Sequence, residues 1–215
     1  MKRCEYIPYI EALENLDSEA FRTTMSQKGV RLDIACCNWQ SEYPYTPAVT
    51  AYMAYGDTAI AVLFEVTESH VCAVEMADNG HVWEDSCVEL FIANPVGKGY
   101  FNFEMNAIKT LLAAKRLSRT EADHFSADSL AQIVRHGSFD HAPVDIHQQT
   151  SWWAGEIVPF KLLGVERMPQ TLEVNLYKCG DKLLEPHFLS WSPITLDKPN
   201  FHCPEFFGTL IAKYE

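Results

Sequence analysis

The sequence predicts an all-β fold: a two-sheet antiparallel β-sandwich, immunoglobulin-like or jelly-roll-like, with short helical segments. Three observations predict it. Apolar residues alternate with period two in several short runs, as half-buried strands require. Gly, Pro and Asn punctuate these runs. Helical periodicity never persists beyond about three turns, so the chain lacks the long apolar stripes that a helical bundle needs.

Taken in order, residues 1–29 read as a polar, mixed N-terminal extension packed on one domain that spans 1–215. Within it, Asp17-Ser18-Glu19 can cap a short helix running to about Met25. The clearest strand is Thr58 to Val66, with Ile60, Val62, Phe64 and Val66 on one face and Ala59, Ala61, Leu63 and Glu65 on the other. Gly56-Asp57 is turn material, so this strand should pair antiparallel with Ala48–Tyr55. Cys87 to Ala93 and Tyr100 to Ala107 are the next strands, separated by Asn94-Pro95 and a loop ending at Gly99. Lys109 to Lys115 continues the pattern, and Ser126 caps a helix predicted to reach Val134. Ser151 to Pro159 reads as a strand, followed by a helical turn over Phe160–Leu163 that Gly164 ends. Two last strands follow, one around Leu172–Tyr177 and one over Gly208–Lys213.

Composition narrows the function classes. A length of 215 residues with 47% hydrophobic residues is enough for one sizeable core. The formal net charge of −12 repels phosphate backbones, which excludes nucleic acid as a natural partner. No apolar run approaches the ~18 residues of a membrane span, and Met1 to Asp17 lacks the apolar stretch of a leader peptide. The chain as given therefore reads as cytoplasmic, or as periplasmic or secreted had a leader been removed. Its seven Cys are odd in number and contain no C-x-x-C, which suits buried free thiols rather than a disulfide framework or zinc ribbon.

Three stretches carry candidate chemistry. Trp83 sits in the polar run His81 to Glu89, where an indole either packs under a loop or lies flat for a sugar's C–H face. Glu89, Glu104 and Asn106 fall on the polar faces of apolar strands. They make either a solvated sheet face or a set of partners for hydroxyls. Two carboxylates across a cleft would also suit glycoside hydrolysis, with Glu89 and Glu104 as acid and base. Prolines at 199 and 204 bracket Phe201-His202 and shape a loop before the final strand, while Gly208 gives that strand a close approach. Phe201 is a candidate second aromatic wall there, and His202 a candidate donor; the alternative is a plug of Phe residues. Trp152-Trp153 form a backup aromatic platform, because one of two adjacent strand residues faces outward. His136, His141 and His147 match no metal-site spacing and read as loop residues. Motifs for phosphate, dinucleotide, acyl-enzyme or zinc-protease chemistry are absent from the sequence.

Read together, these pieces resemble the carbohydrate-binding modules of family 9. W-E-D-S-C-V-E-L-F-I (Trp83 to Ile92) is similar to that family's W-E-x-D-S-V-E-x-F-I signature. Y-F-N-F-E-M-N-A (Tyr100 to Ala107), L-S-W-S-P-I (Leu189 to Ile194) and N-F-H-C-P-E-F-F-G-T-L (Asn200 to Leu210) follow in the family's order. The stretch from Lys178 to Trp191 is similar to a single-domain bacterial subgroup. The resemblance implies a non-catalytic β-sandwich that holds a mono- or oligosaccharide, or a glycan end, in polysaccharide metabolism. It implies an aromatic clamp of Trp83 and Phe201, with Glu89 and Asn106 on the hydroxyls. It implies no cofactor beyond structural calcium, which the acidic turns would hold. The sequence departs from the family pattern at Phe201, where a Trp is usual, at Glu104, where an Arg can stand, and at Ser86-Cys87 within the signature. A sandwich serving only as a protein-interaction domain is the third functional alternative.

Overall fold

The computed structural model describes residues 2–213. Its strands are β1 Cys4–Ile7, β2 Val30–Asp33, β3 Cys36–Cys37, β4 Ala48–Tyr55, β5 Ala59–Glu68, β6 Val71–Ala73, β7 Cys87–Ala93 and β8 Tyr100–Asn106. They continue as β9 Leu111–Arg116, β10 Ala122–His124, β11 Val134–Gly137, β12 Val144–Ile146, β13 Thr150–Pro159, β14 Thr171–Cys179, β15 Phe188–Ser190 and β16 Gly208–Ala212. Two α-helices, α1 Ser18–Lys28 and α2 Ala127–Leu130, and four 3-10 turns complete the described secondary structure. Among the described residues no helix is long and apolar enough to cross a membrane.

Two sheets face each other. The larger runs β1-β16-β14-β7-β8-β9-β10, with β15 and β3 joined at β14. The smaller runs β11-β13-β5-β4-β2, and β6 and β12 form a separate pair. Only β1 and β16 pair in parallel among the named strands; the rest are antiparallel. The period-two alternation dictates the core. Ile60, Val62, Phe64 and Val66 of β5 meet Val88, Leu90 and Ile92 of β7 and Phe101, Phe103 and Met105 of β8. The opposite face of β5 is buried too. There Ala59, Ala61 and Leu63 lie under Phe21 and Met25 of α1, with Trp153 and Ile157 beside them. Asp17 starts that helix by accepting a bond from the Ala20 N–H at 2.9 Å. Full burial of Phe21 is worth about 2–3 kcal/mol, which is what holds a short helix onto the sheet.

Several expectations needed revision. The N-terminal extension is more than a cover, because Cys4–Ile7 adds an edge strand to the large sheet and Ile7 is fully buried. The helix capped by Ser126 stops at Leu130 rather than Val134. Val134 instead opens β11 and pairs with Ile157, since an open sheet edge satisfies a β-branched residue better than another helical turn. Trp152 and Trp153 form no exposed platform. Trp152 donates to Glu68 at 2.8 Å inside the core, and Trp153 lies beneath the Arg22 guanidinium. Gly208 is required by packing, because a Cβ there would sit 2.5 Å from Trp191 Cζ3.

One end of the core holds a buried ionic cluster. Lys178 points inward and donates to the Cys179 carbonyl and to His187 Nε2, each at 2.8 Å, with Glu68 Oε2 at 2.9 Å. Burial and the nearby ammonium lower the His187 value to about 2, so the imidazole is neutral and accepts at Nε2 while Nδ1 donates to the Glu185 carbonyl.

Candidate functional site

The outer face of the large sheet is not solvated. Residues that alternate away from the main core, including Cys87, Phe91, Tyr100, Leu112, Tyr177 and Cys179, form a second apolar cluster with Trp39, Ile194, Phe201 and Phe207 from loops. These loops are pinned. Trp39 Nε1 donates to the Leu196 carbonyl at 2.8 Å, and Tyr177 donates its hydroxyl to the Phe201 carbonyl at 3.1 Å. Within this cover a cleft of about 600 Å³ remains open over β7, β8 and β9. It falls in the ~300–1,000 Å³ range of small-molecule sites.

Glu89 and Glu104 form part of its lining. They are directly opposite in the β7–β8 register, and each is nearly fully buried. Glu89 Oε1 accepts from the Cys179 thiol at 3.0 Å. Glu104 Oε1 accepts from Asn102 Nδ2 at 2.7 Å, and Arg116 Nε donates to the other end of the same amide at 2.7 Å. Arg116 Nη1 donates to the Arg119 carbonyl at 2.8 Å. One oxygen of each carboxyl and one guanidinium nitrogen are left for the cleft. Burial, then the charge of Glu104, pushes Glu89 well above the ordinary carboxylate range. Burial raises Glu104 to about 7, against the pull of Asn102 and Arg116. At neutral pH the pair retains a proton, so it can both donate to and accept from hydroxyls.

Aromatic rings make the walls. Trp83, Tyr43, Phe188 and Phe201 all line the cleft. The Trp83 backbone is held from β14: its carbonyl accepts from Asp181 N at 3.1 Å and lies 3.6 Å from Cys179 Sγ. Four of the five tryptophans are buried, and Trp83 is the half-exposed one. Phe201 stacks on Tyr177 at 4.1 Å and 6° between planes, so that face is spent within the protein and the ring serves as a supported back wall. His202 takes part through Tyr100, whose hydroxyl lies 2.9 Å from Nδ1. Burial, then Arg116 and Arg119, lower His202 to about 3 and keep it neutral. The lining carries both signs, with Glu89, Glu104 and Asp181 facing Arg116, Arg119 and Lys198. Such a mixture of donors and acceptors suits a hydroxyl-rich ligand. Two other surface depressions carry only exposed charged side chains, and one of them has no aromatic ring in its lining.

Of the sequence-predicted residues, Trp83, Glu89, Glu104, Phe201 and His202 meet in this cleft. Asn106 does not. Its Nδ2 donates to the Glu75 carbonyl and to Asp85, and its Oδ1 accepts from Thr110 N, so it is a fully spent structural residue behind the Trp83 turn. Sequence reasoning missed Tyr43, Arg116, Arg119, Asp181 and Phe188. Arg116 falls on the same sheet face as Asn102 and Glu104, opposite Tyr100, a placement that depends on the β8–β9 register. The acidic turns do not fit calcium. Both Asp78 oxygens are taken by Arg135, Glu75 accepts from Ala77 and His81, and Asp85 accepts from Val74, Glu75 and Asn106. A calcium cage needs six to eight oxygens free to turn toward the ion.

Comparison with known proteins places this geometry. The model of carbohydrate-binding family 9 matches residues 20–212. A candidate carbohydrate-binding protein from Bacteroides uniformis is 33% identical over 99% of this chain and 100% of its own, with a TM-score of 0.93. A family 9 module from Caldicellulosiruptor kristjanssonii, solved with glucose, superposes with a TM-score of 0.64 at 11% identity, over 99% of this chain and 97% of its own. The same module solved with cellotriose gives 0.64 at 10% identity, over 99% and 95%. No curated protein matches the chain.

Proposed function

The chain belongs to carbohydrate-binding family 9, and from that premise we propose that the cleft over Glu89 and Glu104 holds a neutral sugar without breaking a bond. The ligand would be a mono- or oligosaccharide, or a glycan end. One observation carries the reading: half-exposed aromatic rings stand beside buried carboxyl and guanidinium groups that retain hydrogen-bonding capacity. A pyranose offers both an apolar C–H face for the rings and a rim of hydroxyls for the polar groups. The glucose and cellotriose bound by the Caldicellulosiruptor module belong to this chemical class. In this reading Trp83 stacks on the sugar, Phe201 backs it, Glu89, Glu104 and Arg116 take its hydroxyls, and His202 adds a neutral partner.

A raised Glu104 would suit a general acid, but the two carboxyls stand side by side in cross-strand register. A glycosidase sets its carboxyls on either side of the scissile bond. The test is a titration of tryptophan fluorescence with glucose, cellobiose and xylobiose. A saturable change that disappears in Trp83→Ala, with circular dichroism unchanged, is the expected result. If Trp83→Ala unfolds the chain, the ring belongs to the core. If no sugar produces a change, the cleft serves another ligand or a protein partner.

A further inference from the structure

The two-stranded β6–β12 sheet carries a cluster that neither the sugar cleft nor its walls use. Asp145 is the register partner of Cys72, and Ile146 that of Val71. The same register carried one step further sets His147 opposite His70. Alternation then places His70, Cys72, Asp145 and His147 on one face of the pair. The side chains meet as the backbone predicts. His70 Nε2 lies 2.8 Å and His147 Nε2 3.1 Å from Asp145 Oδ1. The two imidazoles stack at 4.5 Å. Donor atoms of His70, Cys72 and Asp145 lie within 4.8 Å of one another.

We infer that this face binds one divalent transition-metal ion of the zinc class, with His70, Cys72, Asp145 and His147 as its four ligands. Two imidazoles, a thiolate and a carboxylate are the donor types that such ions select, and the intermediate softness of the set disfavours calcium or magnesium. A tetrahedral ion with bonds of about 2.0–2.3 Å spaces its donors roughly 3.3–3.8 Å apart; His70, Cys72 and Asp145 are already grouped, and the exposed His147 ring turns out of its stack on His70 to aim Nε2 at the same ion. The support is rigid on one side and open on the other. His70 is buried, and the Cys72 backbone is fixed to Ser86 by bonds of 2.7 and 3.2 Å. Asp145 and His147 are exposed, which gives the ion a path in. On loading, the Cys72 thiol proton leaves to solvent, both imidazoles ligate through Nε2, and their remaining protons sit on Nδ1. The Leu184 N–H contact to His70 Nδ1 is long, at 3.4 Å, and is given up. The ion would clamp β12, which lies in the excursion between β11 and β13, onto β6 and the segment leading to Trp83.

The test uses metal-free, reduced full-length chain titrated with Co²⁺ and then Zn²⁺. The expected result is one equivalent of Co²⁺ giving tetrahedral d–d bands and a thiolate-to-cobalt charge-transfer band, both abolished by Zn²⁺. Cys72→Ser should remove the charge-transfer band. His147→Ala, an exposed change that leaves the fold intact, should weaken Co²⁺ by at least the ~10–100-fold that losing even an outer partner costs. The absence of a charge-transfer band in the wild type overturns the inference. So does a band that survives in Cys72→Ser, which would place the ion at another thiol such as the buried Cys87–Cys179 pair, or an unchanged affinity in His147→Ala.

Discussion

Glu104→Gln should stabilise the protein at alkaline pH while weakening its hold on sugar. The substitution keeps the shape and the acceptor for Asn102, and removes only the ionisable proton. In the unfolded chain Glu104 releases its proton near 4.5, whereas the folded state retains it up to about 7. Between those values the folded state binds more protons, so stability falls as pH rises through the window and is flat above it. Below 4.5 both states are protonated and the penalty vanishes. The full penalty above the window is about 3 kcal/mol, and at pH 5 only about 1 kcal/mol of it has accrued. The glutamine variant carries none. Its advantage over wild type should therefore grow by about 2 kcal/mol between pH 5 and pH 8, or about 4–8 °C in Tm for a chain of this size. Relief of the charge beside Glu89 acts in the same direction. Paired thermal or urea melts of both proteins at the two pH values isolate the effect, because the other titrating groups are common to both. A difference that is flat with pH, or a variant less stable at pH 8, refutes a desolvated Glu104. In the same variant a sugar loses a charged acceptor, and affinity should fall by about tenfold or more.

Two further outcomes follow from the buried polar groups. Lys178→Met should cost about 3–5 kcal/mol in denaturant melts, because it removes the ammonium that Glu68 faces inside the core, and adding Glu68→Gln should recover part of the loss. A single variant as stable as wild type would contradict the ion pair. Asn106→Ala should lower stability by about 2–4 kcal/mol by stripping bonds from Asp85, the Glu75 carbonyl and Thr110, yet leave sugar affinity of the folded protein near wild type. Lost affinity without lost stability would return Asn106 to the ligand.

Much of the architecture was legible because a strand's alternation states which residues share a face. Ala59–Glu68, Cys87–Ala93 and Tyr100–Asn106 lie within a residue or two of where the pattern sets them. The cap at Asp17 and the stop at Gly164, with φ 76°, are equally local, since each depends on the geometry of a single turn. Alternation does not say what covers a face. Glu89 and Glu104 read equally well as a wet sheet surface until loops bearing Trp39, Tyr43 and Phe201 are laid over them. Those loops come from opposite ends of the chain, and only the completed sheet brings them together. The same holds for Arg116 beside Asn102, for Asn106 turned toward Asp85, and for His147 stacked on a histidine 77 residues earlier. By itself the sequence determined the strand pattern, the caps and the residue types suited to sugar. The tertiary structure decided which polar groups are desolvated, and therefore which have raised pKa values and spare hydrogen bonds. Burial depends on the packing of remote segments, and no local period records it.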